Sequence, residues 1–172
     1  MDLFETIQAR QSVRAYQSTQ VEAEKLEAVL AAANQAPSAG NLQGYEIYLT
    51  RDNKVKQALA KAAWNQGFLA QAPVVLVFCT HAARSAARYR ERGKRLYCLQ
   101  DASIAAAYAQ LAATALGLAT CWVGAFDDEQ VARAIDLPPG QRPVAILPVG
   151  CPGESPLRTP RRSLADLVHH VP

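Results

Sequence analysis

Seven consecutive residues, Pro73-Val74-Val75-Leu76-Val77-Phe78-Cys79, carry no charged side chain and nothing polar beyond the closing thiol. A run this short and β-branched reads as a strand, because a bilayer-spanning helix takes about 20 apolar residues. Being apolar on both faces, it predicts a central position in a sheet covered front and back. The rest of the chain has to supply those covers. With 172 residues it can build one full-sized domain and not two comfortable ones.

The covers are legible as helices. Leu3, Phe4 and Ile7 give a short amphipathic helix from Asp2 to about Ala9. A second follows, with Thr19 and Glu22 as a capping box, Leu26, Val29, Leu30 and Ala33 on one face, and an end before Pro37. Ser38 to Asn41 is a loop, and Tyr45 to Thr50 a strand. Asp52 or Asn53 caps a helix carrying Val55, Leu59 and Ala62. Thirty-three alanines favour closely packed helix, above all from Asp101 to Leu116, where Ile104, Tyr108, Leu111 and Ala115 share a side and Gly117 is placed to cap the end. Thr120 to Val123 is a short strand, and Asp127 or Asp128 caps a helix bearing Val131 and Ile135. Pro143 to Val149 is the last strand, with Pro148 pointing to an edge or an irregular end, and Ser163 to Val168 a short helical tail. A three-layer sheet with one long central helix satisfies this order, although the order of the strands is not readable.

Half the residues are apolar and 19% are charged, the balance of a folded chain. A formal charge of +3 is mild for a nucleic-acid binder, so none is expected as a partner. No apolar run is long enough to span a membrane, and Met1-Asp2-Leu3-Phe4-Glu5 lacks the pattern of a secretory signal. Cys79, Cys98, Cys121 and Cys151 are widely spaced, without a Cys-x-x-Cys, and only three histidines accompany them. This makes a metal cluster unexpected and a reducing cytoplasm the expected location.

Familiar catalytic groupings are missing. Ser12 and Ser38 have no Gly-x-Ser-x-Gly setting, and His81 reads as a cap or surface residue. There is no phosphate loop of the Gly-x-x-x-x-Gly-Lys type and no Gly-x-Gly-x-x-Gly after the first strand. Arginine remains. Arg10, Ser12 and Arg14 cluster near one end, and Arg158, Arg161 and Arg162 near the other. A dianionic phosphate suits such groups, because guanidinium is a rigid donor fork and a hydroxyl serves a remaining acceptor oxygen. Either cluster alone also reads as solvated surface. A third basic stretch places Arg84, Arg88 and Arg92 four residues apart, which reads as a solvated helix face or as an attractor for an anionic partner such as the extra phosphate of NADPH. Trp64, Phe68, Tyr89 and Tyr97 read as packing residues, with a cleft role as the alternative.

Several segments together resemble the nitroreductase family of FMN-dependent oxidoreductases. Ile7-x-x-Arg10-Gln11-Ser12-Val13-Arg14-x-Tyr16 is similar to its N-terminal signature, and Ala36-Pro37-Ser38-Ala39-Gly40-Asn41-Leu42-Gln43 to its second motif. Ala72-Pro73-Val74-Val75 resembles its central strand. Asp101 with the alanine-rich helix, and Leu116 to Gly124 after it, resemble its core helix and the strand beyond. Pro148-Val149-Gly150-Cys151-Pro152 and Arg161-Arg162-Ser163-Leu164 close the match, in order over nearly the whole chain.

The resemblance implies an α+β fold, a three-layer α-β-α sandwich with a central, mostly antiparallel sheet around a long core helix. It implies one FMN-binding domain over residues 1–172 and a homodimer with FMN at the interface. The implied activity is oxidoreduction with NAD(P)H as donor, hydride passing to flavin N5 and then, by ping-pong turnover, to a nitroaromatic, quinone or similar acceptor. The alternatives are a flavin-storing or flavin-supplying protein and a specialised flavin enzyme on the same fold. By the same resemblance, Arg10, Ser12, Arg161 and Arg162 hold the phosphate and ribityl chain, with either of the last two reaching the phosphate. Arg14 supports negative charge at the pyrimidine end, and Asn41 and Gln43 belong to the flavin-contacting motif. Pro37, Ser38 and Ala39 reach the ring of the partner subunit's cofactor, and Val123 and Gly124 lie beside N5 and O4. Gln11 stands where the family usually has a second basic residue; its amide still hydrogen-bonds, but one favourable charge is gone. No side chain is expected to act as nucleophile, and no metal is implied.

Overall fold

In the computed structural model, which describes residues 1–172, the apolar run becomes β2 (Val74–His81), with every residue from Val74 to Thr80 buried. It lies between β1 (Tyr45–Thr50) and β4 (Gln141–Gly150), and β3 (Ala119–Thr120) completes the order β1-β2-β4-β3. All three pairings are antiparallel. Alternation along β2 divides the interior in two, because successive side chains leave opposite faces of a strand. Val74, Leu76 and Phe78 meet α2 (Ala23–Asn34) and α6 (Cys98–Ala115). Val75, Val77 and Cys79 meet residues of α3 (Asn53–Ala62), α4 (Phe68–Gln71) and α7 (Asp128–Ala134). The sheet is therefore the middle of three layers.

Local capping chemistry sets several boundaries. The Asp52 carboxylate accepts from the N–H groups of Lys54 and Val55 at 2.8 and 3.0 Å, and Asp127 accepts from Gln130 N at 2.9 Å. Gly117 takes φ +75°, letting Leu118 N donate to Ala113 O at 2.8 Å and close α6. His81 Nδ1 accepts from Arg84 N at 3.2 Å at the start of α5 (Ala82–Arg92). The capping box expected at Thr19 and Glu22 does not form. Glu22 is the N-cap without a side-chain cap bond and pairs with Lys25 at 2.9 Å. A capping box forms instead on α1 (Leu3–Ala9), between Asp2 and Glu5.

Three other expectations are corrected. Helix α6 begins at Cys98 and not at Asp101, running on from a π-helical turn at Gly93–Tyr97. Its buried side is Ala102, Ala105, Ala106, Ala109 and Ala113, whereas Tyr108 is 40% exposed. Methyl side chains let the helix approach the sheet and α2 closely, and the bulkier residues are left to the outer side. Pro148 does not mark an edge. It pairs with Val75 in an interior strand, opposite the gap in β3 between the Thr120–Val149 pair and the Val123–Ile146 bridge, where no amide is required of it.

The four cysteines are unpaired, and burial pushes the Cys79 thiol up to about 12 and raises those of Cys98 and Cys121 as well. A raised pKa keeps a thiol in its unreactive neutral form. Native titration with an aromatic disulfide reagent is expected to modify only the half-buried Cys151 readily, the other three reacting once the chain is unfolded. Rapid native reaction of all four would contradict this packing.

No helix is long and apolar enough to cross a membrane.

Candidate active site

Arg10 caps the C-terminus of α1, its N–H donating to Thr6 O at 3.0 Å. The following residues lie along the sheet: Ser12 bridges Thr120 in parallel fashion, and Val13 N donates to Thr120 O at 3.0 Å. Val13 is buried, so the period of two leaves Ser12 and Arg14 on the other side. The chain returns beside this segment after β4. Gln17 N donates to Cys151 O at 3.0 Å, Gly153 N to Ala15 O at 2.8 Å, and Arg14 N to Glu154 Oε1 at 2.5 Å. These bonds lay residues 156–161 across residues 10–14.

Between the two segments is a cleft of about 420 Å³, lined among others by Arg10, Gln11, Ser12, Arg14, Arg158 and Arg161. None of its four arginines forms an ion pair; the ion pairs of the structure lie elsewhere. No carboxylate lines the cleft, and the Gln11 Oε1 atom is buried without a hydrogen-bond partner. Burial raises the Cys121 thiol, with Arg14, Ser12 and Arg10 as opposing influences.

Arg161 lines the cleft, its guanidinium donating to the carbonyls of Thr159 and Pro160 at 3.0 and 3.4 Å. Arg162 turns away to the Asp166 carbonyl, close to α8 (Leu164–Leu167). The structure thereby distinguishes two neighbours that the sequence leaves equivalent. Arg158 joins the cleft although no family motif marks it; its place in the terminal arginine cluster was the available signal.

Pro37, Ser38 and Ala39 are elsewhere. They line a second cleft of about 600 Å³ with Tyr97, Asp101 and Ile104 among its walls, sharing no residue with the first. Asn41 and Gln43 line neither cleft. The Gln43 side chain donates to Asn41 Oδ1 at 2.6 Å and to Ser38 Oγ at 3.2 Å, tying the three together. Val123 is buried and bridged to Ile146, and Gly124 is exposed beside Trp122; they too line neither cleft.

The basic helix is not a free stripe. Arg84 pairs with Glu46 at 2.5 Å and donates to the carbonyls of Gln43 and Tyr45 at 2.6 and 3.2 Å. Arg88 reaches Gly40 O at 3.5 Å, and Arg92 donates to the Tyr97 hydroxyl at 2.9 Å. Helix α5 is also broken at Arg90, where φ is 49°. Two of the three regularly spaced arginines therefore brace the 40s loop. Of the four aromatics, Tyr97 is a cleft wall with Tyr89 packed edge-on against it, Phe68 joins the core, and Trp64 is exposed.

The sequence matches the model of the nitroreductase family over residues 7–67 and 61–151. The chain belongs to the nitroreductase family. The fold agrees. The structure of NfrA2 from B. megaterium superposes with a TM-score of 0.89 at 31% identity, covering 98% of this chain and 74% of that one. The NADPH:FMN oxidoreductase of Vibrio harveyi, in complex with NAD+, gives 0.90 at 27% identity, covering 98% and 76%. An FMN reductase [NAD(P)H] of Bacillus subtilis is 27% identical over 173 residues, 93% of this chain and 70% of its own. Nitroreductase-family membership makes this chain a compact relative of NAD(P)H-linked flavin oxidoreductases.

Proposed function

We propose that the chain is an FMN-dependent NAD(P)H oxidoreductase that works as a homodimer. The observation that carries this reading is the 420 Å³ cleft, lined by Ser12 and by four arginines that have no carboxylate partner. That donor set fits a phosphate monoester: the arginines supply charge-assisted forks, and Ser12 completes the shell. When bound, FMN supplies acceptance of hydride from NAD(P)H and delivery of electrons to a nitroaromatic, quinone or similar acceptor, the two half-reactions sharing one site.

The protein's own part is orientation and charge. Arg10, Ser12, Arg158 and Arg161 hold the phosphate, and Arg14 is the cation assigned to negative charge on the reduced ring. Gln11 offers an amide in place of a second charge. Pro37, Ser38 and Ala39 serve the cofactor of a second copy, with Asn41 and Gln43 behind them and Val123 and Gly124 at the end of the sheet. Two features support the dimer. The two clefts share no residues, as halves of a site split between subunits would. Exposed apolar side chains are also concentrated on α1 (Leu3, Phe4 and Ile7, between 50% and 75% exposed) and on the tail (Leu157, Leu164 and Leu167).

One experiment tests both parts. Size exclusion with light scattering and absorption detection is expected to give a peak at twice 18.6 kDa that carries a flavin band, and anaerobic NADPH or NADH is expected to bleach it. A colourless chain that refuses added FMN would end the reading; a flavin-loaded monomer would end the dimer.

A further inference from the structure

Asp101 is 2% exposed and has no cation within ion-pair distance, yet it stands in the first turn of a helix whose buried side is mostly alanine. A buried, unpaired carboxylate is unfavourable unless its oxygens are satisfied. They are satisfied by the backbone of one loop: Oδ1 accepts from Ala39 N at 2.9 Å, and Oδ2 from Gly44 N at 3.2 Å. The two amides bracket the segment that holds Gly40, Asn41 and Gln43.

That segment is unusual in its backbone. Gly40, Asn41 and Gln43 have φ of 58°, 57° and 45°, a left-handed region that residues with a Cβ disfavour. Such a conformation persists only where surrounding contacts over-determine it. Helix α6 itself needs no help from the loop, because Ala102, Ala105, Ala106, Ala109 and Ala113 anchor it in the main core. Asp101 therefore serves the loop more than the helix.

We propose that Asp101 is a positioning residue, whose carboxylate clamps both ends of the 39–44 loop and so fixes Ser38, Ala39, Asn41 and Gln43 in the geometry that receives the cofactor. The assignment rests on the FMN reading above. It adds a residue that acts through the backbone without being required to touch the cofactor.

Asp101→Asn keeps the shape but sets an amide N–H against one of the two backbone N–H groups. The expected result is hydrogen exchange at least tenfold faster at Ala39 and Gly44, with β2 unchanged, and an FMN dissociation constant raised about tenfold. Ala106→Gly, on the same helix and remote from the loop, controls for general weakening; it is expected to lower the melting temperature while leaving exchange at the loop and FMN affinity as they were. If the unsubstituted chain binds FMN and Asp101→Asn binds it equally well, or exchange at the two amides does not change, the clamp is wrong and the FMN reading stands. The clamp is also wrong if Ala106→Gly reproduces both effects, since Asp101 is then only a stabilising residue. Failure of the unsubstituted chain to take up FMN overturns both.

Discussion

Arg10→Ala is expected to weaken FMN binding by roughly thirtyfold and to leave riboflavin binding almost untouched. A hydrogen bond to a charged group contributes about 1.5–3 kcal/mol, which is about ten- to a hundredfold in affinity. Arg10 lies at the end of α1 with no protein carboxylate to satisfy it, so its guanidinium is free for a ligand. Adding Arg161→Ala removes a donor from the opposite wall of the same cleft. The double variant is expected to keep only the small preference for FMN over riboflavin that Arg158 and Ser12 supply, with less than the sum of the single effects because both act on one phosphate. Titrations of the apo-protein with the two flavins, followed by flavin fluorescence, make the comparison. Equal losses for FMN and riboflavin would mean that the arginines hold the fold or the ring and not a phosphate.

Gly44→Ala is expected to destabilise the fold by about 2–3 kcal/mol, lowering the melting temperature by roughly 6 °C for a chain of this size. The added Cβ would lie 2.2 Å from Ser85 Oγ, 2.9 Å from Asp101 Oδ2 and 3.4 Å from Cys98 Cα. Ser85 is fully buried and Asp101 nearly so, and neither can withdraw without disturbing the junction of α5, α6 and the 40s loop. Ser85→Ala provides the companion measurement. Its Oγ is buried without a hydrogen-bond partner, so removing it is expected to be neutral or stabilising alone and to recover part of the loss in the double variant. Melting curves of the two single variants and the pair decide the matter. An unchanged melting temperature in Gly44→Ala would show that the junction has more room than its packing indicates.

What could be read beforehand follows the range of the interactions. The caps at Asp52, Asp127 and Gly117 are legible because each depends on groups within four residues. The central strand is legible because burial on both faces leaves no polar alternation. Helix α6 is misleading because alanine is buried and exposed with similar ease: its outer Tyr108 looks more apolar than its inner Ala105 and Ala109. Pro148 misleads for another reason, since the gap it faces belongs to a different strand. At the site, the convergence of Arg10, Ser12, Arg14 and Arg161 is anticipated by the resemblance of both chain ends to one family. Arg158 and the loop contacts of Asp101 are not, the latter because they join residues 62 and 57 positions apart.

Beyond Glu154, every hydrogen bond made by the last residues is with another of those residues, and none of them is buried. Yet this stretch carries Arg158 and Arg161. Arg10 and Arg14 form a jaw built when the sheet is built; the opposing jaw is tied to it only through the bonds of residues 151–154. Holding each backbone residue in place costs about 1–2 kcal/mol of entropy, and no core contact in the chain itself offsets that. The strength of the grip is then governed as much by whatever steadies the tail, a bound anion or a neighbouring subunit, as by the guanidiniums at its tip.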